Sequence, residues 1–445
     1  MASVLQSEGD AAGEAAWPSP TRGWWAVGVF CIAAVLSYSD RQILSLLVDP
    51  IRADLHATDV QIGLLQGAAF ALIYAVAGIG LGRAADTLPR RWVIVAGVVV
   101  WSLATLACGY ADSFWALFAA RAGVGIGEAA LAPAAMSILT DSFPARRRGA
   151  GLGAFLMGMI IGGGVALALG GVILEAAASG ALRGVPILGD LAPWRCALVI
   201  LGLLGFPIAL LAATVAEPAR RHLMRGEDSK PATLAQAASG LWSMRQRLVP
   251  LYAAMGLASL SDFAILNWVP TLLTRRFGLG VAEIGSVLGL AVIIGGVLGS
   301  FGVGVVADRM VRGGGPGARL RLALWTMIVG VGATLVVIAP APPLVFALAG
   351  LWIFASTSGQ SLGMTYIQEI VPGDVRGVSV SIVSLLNIGV GLALGAALPA
   401  LILEHVLHDP KAVGAAVTIV ALPCALAATW LYAIALSAAR KIHPA

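Results

Sequence analysis

Charge is scarce in this chain. Asp, Glu, Lys and Arg make up 11% of its 445 residues, against about 25% in a soluble globular domain. With 59% apolar residues and a mean hydropathy of +0.91, the shortage excludes a large soluble core and points to a polytopic membrane protein. Cysteine is scarce too. Cys31, Cys108, Cys196 and Cys424 stand singly in apolar stretches without CxxC spacing, so neither a metal site nor a disulfide framework is expected. His56, His222, His405, His408 and His443 fall in loops or at ends, and there is no HExxH, which argues against a metal enzyme. No glycine-rich loop leads into Lys-Ser or Lys-Thr, so no ATP site and no cofactor are expected. Any uphill movement of a solute must then draw on a gradient. An intramembrane enzyme would need a nucleophile with a base in reach, and the apolar stretches offer neither.

What the chain has in abundance is long apolar runs. A membrane span needs about 20 such residues. Twelve stretches qualify: 23–48, 58–84, 91–110, 113–140, 147–174, 194–216, 247–273, 281–307, 319–339, 343–370, 376–406 and 412–438. The expected organisation is all-α, with twelve transmembrane helices in two pseudo-symmetric six-helix bundles. Residues 1–22 read as a disordered cytoplasmic tail and 23–216 as the first bundle. Residues 217–246 read as a polar cytoplasmic loop, 247–439 as the second bundle and 440–445 as a second tail. Residues 1–22 lack the basic start of a signal peptide, so the first span is expected to act as an uncleaved insertion signal. With both termini inside, the inner loops collect Arg90, Arg91, Arg146 to Arg148, the central cluster, Arg309, Arg312, Arg319, Arg321, Arg376, Arg440 and Lys441. That bias sets the topology. It also accounts for the net charge of +5 without nucleic acid. The Ala- and Arg-rich composition suggests a bacterial inner membrane, and a monomer is expected.

The halves repeat. Gly82, Asp86 and Arg90 correspond to Gly304, Asp308 and Arg312 at an offset of 222, which also lays Ser39-Asp40 on Ser261-Asp262. In the later spans Pro144, Arg148 and Gly149 correspond to Pro372, Arg376 and Gly377 at an offset of 228. Paired repeats of this kind place a transport site at their interface near mid-membrane.

A few charges lie inside the spans. Arg121 and Glu128 are seven residues apart, almost two helical turns, and so share one face. Asp40 and Arg41 are adjacent in the first span. A charge at mid-bilayer costs about 2.5–3.5 kcal/mol on insertion scales, so such groups face a bundle interior or a wet cavity. Asp40 and Arg121 lie at similar depths and can pair; Arg41 can reach toward Glu128 or toward a bound anion. Asp40 and Glu128 are the expected proton carriers. Arg41 and Arg121 are the expected anion ligands or counter-ions, because a guanidinium stays charged and grips phosphate with two bonds. Asp262, Asn267 and Trp268 in the seventh span are further expected substrate-binding residues; a polar helix contact is the alternative for Asp262 and an interface belt for Trp268. Gln66, Gln360 and Asn387 are weaker ones. Gly82, Asp86 and Arg90, with Gly304, Asp308 and Arg312, read as a gate in which Asp86 caps the eleventh span and Arg90 holds Asp86.

These features resemble the major facilitator superfamily. Its Gly-x-x-x-Asp-x-x-x-Arg loop signature stands at Gly82, Asp86, Arg90 and Arg91, with a weaker copy at Gly304, Asp308 and Arg312, and its Arg-x-x-x-Gly at Arg121 and Gly125. The spinster-like branch is the best fit, through Ser39-Asp40-Arg41, Gly63-Leu64-Leu65-Gln66, Arg121 to Ala129, Asn267-Trp268-Val269-Pro270 and Gln368 to Pro372. The anion:cation symporter branch comes second. The spinster resemblance implies proton-linked movement of a lysophospholipid or sphingoid phosphate; the second implies symport of a small organic anion such as a sugar acid or aromatic acid. Gly158 to Gly171 lacks the Gly-Pro of antiporters, so export by antiport finds no support there.

Overall fold

In hydrocarbon every backbone N–H and C=O must be bonded within the protein, and a helix does this within one segment. The computed structural model describes residues 17–182, 184–220, 234–315 and 317–440. The expected terminal tails, 1–22 and 440–445, fall largely outside them. The first half contains α1 (Pro20–Leu46), α2 (Asp59–Thr87), α3 (Arg90–Gly109), α4 (Phe114–Ser142), α5 (Arg146–Ala178) and α6 (Pro193–Ala213). The second contains α7 (Arg245–Phe277), α8 (Val281–Arg312), α9 (Gly317–Val331), α10 (Pro342–Ile370), α11 (Val375–Leu407) and α12 (Val413–Arg440). A further helix, Leu234–Ser243, precedes α7 inside the stretch expected to be loop.

Eleven of these are long and apolar enough to cross a membrane on their own. The exception is α9. Its regular helix ends at Val331 and continues as two short 3-10 turns, Gly332–Thr334 and Val336–Ile338. Gly332 and the β-branched run Val336-Val337-Ile338 are weak helix formers, and Pro340 prevents continuation. The span expected at 319–339 is therefore interrupted in its last third.

Within the first half α1 packs on α5, and α3 on α4 and α6; in the second, α7 packs on α12 and α10 on both α8 and α9. The halves meet where α5 faces α8 and where the start of α2 faces the end of α11. Glycine makes these seams close. A Cβ on Gly164 would lie 2.3 Å from the Gly289 carbonyl oxygen, and one on Gly289 2.4 Å from that of Gly164. A Cβ on Gly67 would sit 2.8 Å from the carbonyl oxygens of Leu392 and Ala393. Backbones this close are typical of small-residue helix contacts in membranes.

Both seams lie toward the end of the bundle away from the termini. Ion pairs reinforce that end: Arg275 of α7 bonds Asp49 at 2.8 Å and Asp59 at 2.7 Å, both from the first half. The Glu404 carboxylate accepts from the Val60 backbone N–H at 2.9 Å. Toward the termini the halves diverge and leave a cavity.

Candidate functional site

The cavity has a volume of about 560 Å³, within the range of sites for small organic ligands. It begins at mid-depth, at Tyr38, Gln42 and Leu266, and runs to Gln368, two residues from the end of α10 nearest the termini. The walls differ. The first half contributes mainly apolar groups such as Leu156, Met159 and Ile160. The second contributes Ser259, Asp262, Gln360, Gln368 and Asn387 among others. Asn387 lies in a wide π-type turn of α11, Leu385–Leu392. Such turns leave carbonyls without their helical partners and recur at functional sites. Here Ser259 Oγ donates to Asn387 Oδ1 at 2.5 Å and lies 3.3 Å from its carbonyl.

Behind Tyr38 and Met159, which line both spaces, lies a narrow pocket holding Arg41 and Glu128. Arg41 Nε donates to Glu128 Oε2 at 2.7 Å, and Ser37 Oγ donates to the same oxygen at 2.7 Å. The Arg41 guanidinium carbon lies 5.2, 4.5 and 5.0 Å from the ring centres of Tyr38, Phe70 and Tyr74. Each such cation–ring contact contributes about 0.5–2 kcal/mol. The Glu128 side chain is fully buried while Arg41 keeps 13% of its own exposed. Glu128 Oε1 is buried with no hydrogen-bond partner. Of the two reaches open to Arg41 in the sequence, the structure contains the one to Glu128.

The expected Asp40–Arg121 ion pair is not formed. Arg121 Nη1 donates instead to the Asp40 backbone carbonyl at 3.1 Å, and the Asp40 carboxylate accepts from Thr105 Oγ1 of α3 at 3.3 Å. The last residues of α1 tighten into a 3-10 turn, freeing that carbonyl for the guanidinium. Both side chains are buried among α1, α3 and α4, and neither lines the cavity. Asp262 does line it. Asn267 and Trp268 do not: both are buried, and Trp268 Nε1 donates to the Ala396 carbonyl at 2.8 Å, closing α7 on α11 rather than meeting ligand or an interface belt.

The loop signature also differs from expectation. Arg90 is fully buried and does not hold Asp86. It pairs with Asp141 at 2.5 Å and Glu217 at 2.8 Å, and donates to Ser137 Oγ and the Pro218 carbonyl. Glu217 also accepts from the backbone N–H groups of Arg90 and Arg91, so it, not Asp86, caps a helix here, the start of α3. The Asp86 side chain is exposed; its backbone carbonyl and those of Ala85 and Leu88 receive Arg220. A Cβ on Gly82 or Gly304 would meet nothing within 4 Å, so neither serves a close approach in this state. Asp308 pairs with Arg319 at 2.9 Å rather than with Arg312, which is exposed; Arg319 also pairs with Glu369 at 2.9 Å. The physical reason is common to both halves. The cavity opens on this side, the end of α2 lies away from the start of α11, and each arginine that begins a third span pairs within its own bundle.

The model of the Major Facilitator Superfamily matches residues 30–396. The chain belongs to that superfamily. Among relatives, an "MFS-type efflux pump" of Mycolicibacterium smegmatis is 30% identical over 352 residues, covering 78% of this chain and 75% of the relative. The human "Protein spinster homolog 1" is 27% identical over 67% of this chain; the match spans 57% of the human protein's length. A "Probable sulfoacetate transporter" of Cupriavidus necator is 28% identical over 71% of each chain. Among solved structures, a bacterial homolog of the human lysosomal transporter spinster, inward-facing and unoccupied, superposes with a TM-score of 0.73 at 24% identity, covering 95% of this chain and 98% of the other. Superfamily membership and the spinster likeness agree with the sequence, as does an integral multi-pass transporter that is not an enzyme.

The superfamily signature points to Asp86 and Asp308 but not to the partners of Arg90. One clue lies in the repeat: the offset of 228 lays Asp141 on Glu369, and these residues hold Arg90 and Arg319 respectively. The aromatic stack around Arg41 has no comparable signal. Tyr38, Phe70 and Tyr74 converge only once α1 and α2 pack.

Proposed function

We propose that the protein is a proton-coupled secondary transporter that works by alternating access on an amphiphilic anion of the lysophospholipid or sphingoid phosphate class. The observation that carries the reading is the Arg41–Glu128 pair, buried beside the cavity with the guanidinium close to three aromatic rings and one carboxylate oxygen unpaired. A substrate phosphate reaching past Tyr38 can take Arg41 away from Glu128. The carboxylate then loses its counter-charge in a poorly solvated pocket, and protonation becomes favourable. Asp40, the neighbour of Arg41 in α1, is the second carrier, and Arg121 holds the backbone there. The wall chemistry supports an amphiphile: apolar groups on one side suit a chain, and polar groups on the other suit a head. With the arginine-rich side placed inside, the cavity opens to the cytoplasm, and the protein resides as a monomer in a bacterial inner membrane.

The reading is tested in proteoliposomes with a labelled lysophospholipid and a labelled sugar acid, with and without an imposed pH gradient. Gradient-dependent flux of the lysolipid alone is expected. Flux of the sugar acid alone would transfer the site to the symporter branch, and flux indifferent to the gradient would remove proton coupling.

A further inference from the structure

Among the described residues the cavity wall carries one charged side chain, Asp262, and no Lys, Arg or His. Its Oδ1 is buried without a hydrogen-bond partner, and no ion pair to it occurs among the described residues. Internal symmetry accounts for this isolation. At an offset of 222, Asp262 stands where the first half has Asp40, and the cavity-lining Phe263 replaces Arg41. At 228, Ala349 replaces Arg121, and Ser356, which faces the Asp262 carboxyl, replaces Glu128. The second half has kept the acid and lost both guanidinium positions. Asp262 is half-buried, with one carboxylate oxygen out of reach of solvent; a carboxylate so placed gains from a counter-charge, and the described residues of the wall supply none.

We propose that Asp262 is the substrate-recognition carboxylate for a positively charged nitrogen, so that the cargo carries an ammonium as well as any anionic group. Tyr38 lines both the cavity that holds Asp262 and the pocket that holds Arg41, with its ring centre 5.2 Å from the Arg41 guanidinium carbon. A zwitterionic head fits that order, phosphate toward Arg41 and ammonium toward Asp262, its chain against Leu156 and Ile160. Phe263 and Tyr38 add ring faces that favour a cation. This refinement rests on the amphiphile reading, yet it makes a demand of its own: the cavity prefers positive charge.

The test is calorimetric titration of the purified full-length protein with two matched pairs. Tetraphenylphosphonium and tetraphenylborate share size and shape and differ in the sign of charge. Lysophosphatidylethanolamine and lysophosphatidylglycerol of one chain length share the phosphate and differ in the ammonium. The wild type is expected to bind the cationic or ammonium-bearing member of each pair at least tenfold more tightly. Asp262→Asn erases the preference by weakening that member alone, and Asp262→Glu retains most of it. Equal binding within each pair by the wild type overturns the proposal whether or not any variant folds. So does a preference that survives Asp262→Asn, or a loss that strikes both members equally. Discrimination between the tetraphenyl ions without lysolipid binding would sink the lysolipid reading and leave Asp262 in its role. Gradient-driven lysolipid flux without discrimination would do the reverse.

Discussion

Arg41 is held by one carboxylate and three aromatic rings, and each restricts it differently. Glu128 sets its charge balance; Tyr38, Phe70 and Tyr74 surround it with their rings. Removing one partner of a buried ion pair costs about 3–5 kcal/mol because the other is left uncompensated. Arg41→Ala is therefore expected to lower the thermal unfolding midpoint sharply, and Arg41→Ala combined with Glu128→Gln to recover part of the loss. Additive losses in the double variant would show that the two residues do not depend on each other. Arg41→Lys keeps the charge but not the planar, two-pronged donor, so transport is expected to fall at least tenfold with little change in stability. The candidate charges were legible in the sequence because ionisable groups in apolar spans are conspicuous. Their pairing was not. Asp40 and Arg121 share a depth, but which side-chain atom faces which depends on how α1 ends, and its 3-10 turn offers Arg121 a carbonyl instead of the carboxylate. Trp268 misled for a related reason: an indole near a span end suits an interface belt or a ligand equally well, and here it closes α7 on α11.

At the scale of elements, the seam between α5 and α8 and the Arg275 cluster hold the end away from the termini closed. Gly164→Val places carbon where the Gly289 carbonyl oxygen stands, so the seam must part. The expected result is a shift toward the state open at that end, read as a several-fold rise in labelling of a cysteine introduced at Gln42 by a membrane-impermeant maleimide from that side. Arg275→Ala is expected to shift labelling in the same direction, since it frees Asp49 and Asp59 at once. Unchanged labelling in both variants would mean that neither contact contributes to closure. Twelve spans were readable from hydropathy, because hydrocarbon allows few alternatives. The interruption of α9 and the wide turn of α11 were not, since they follow from packing and from Gly, Pro and β-branched residues that spans tolerate in many places. The gate signature was legible as a motif but not as a contact. The Asp86 side chain is exposed in this state, and Asp86→Asn is expected to slow turnover while leaving substrate affinity unchanged, because its loss is felt only when the terminal side closes. Wild-type turnover in that variant would count against a gate.

For the whole molecule, two related halves have diverged in charge. The first buries acid and base together beside the cavity; the second presents an acid to the cavity without a base. Repeats at offsets of 222 and 228 made the duplication visible, and the divergence follows by laying one half on the other. Cargo identity was less accessible, because it depends on which groups the packed helices turn inward. The account as a whole stands on Glu128 exchanging a proton as the cavity changes side. The most direct measurement is lysolipid transport by Glu128→Gln in proteoliposomes, scored both as accumulation driven by a pH gradient and as exchange at equal pH on both sides. The account predicts that accumulation disappears while exchange persists in a folded protein; accumulation at the wild-type rate would contradict it.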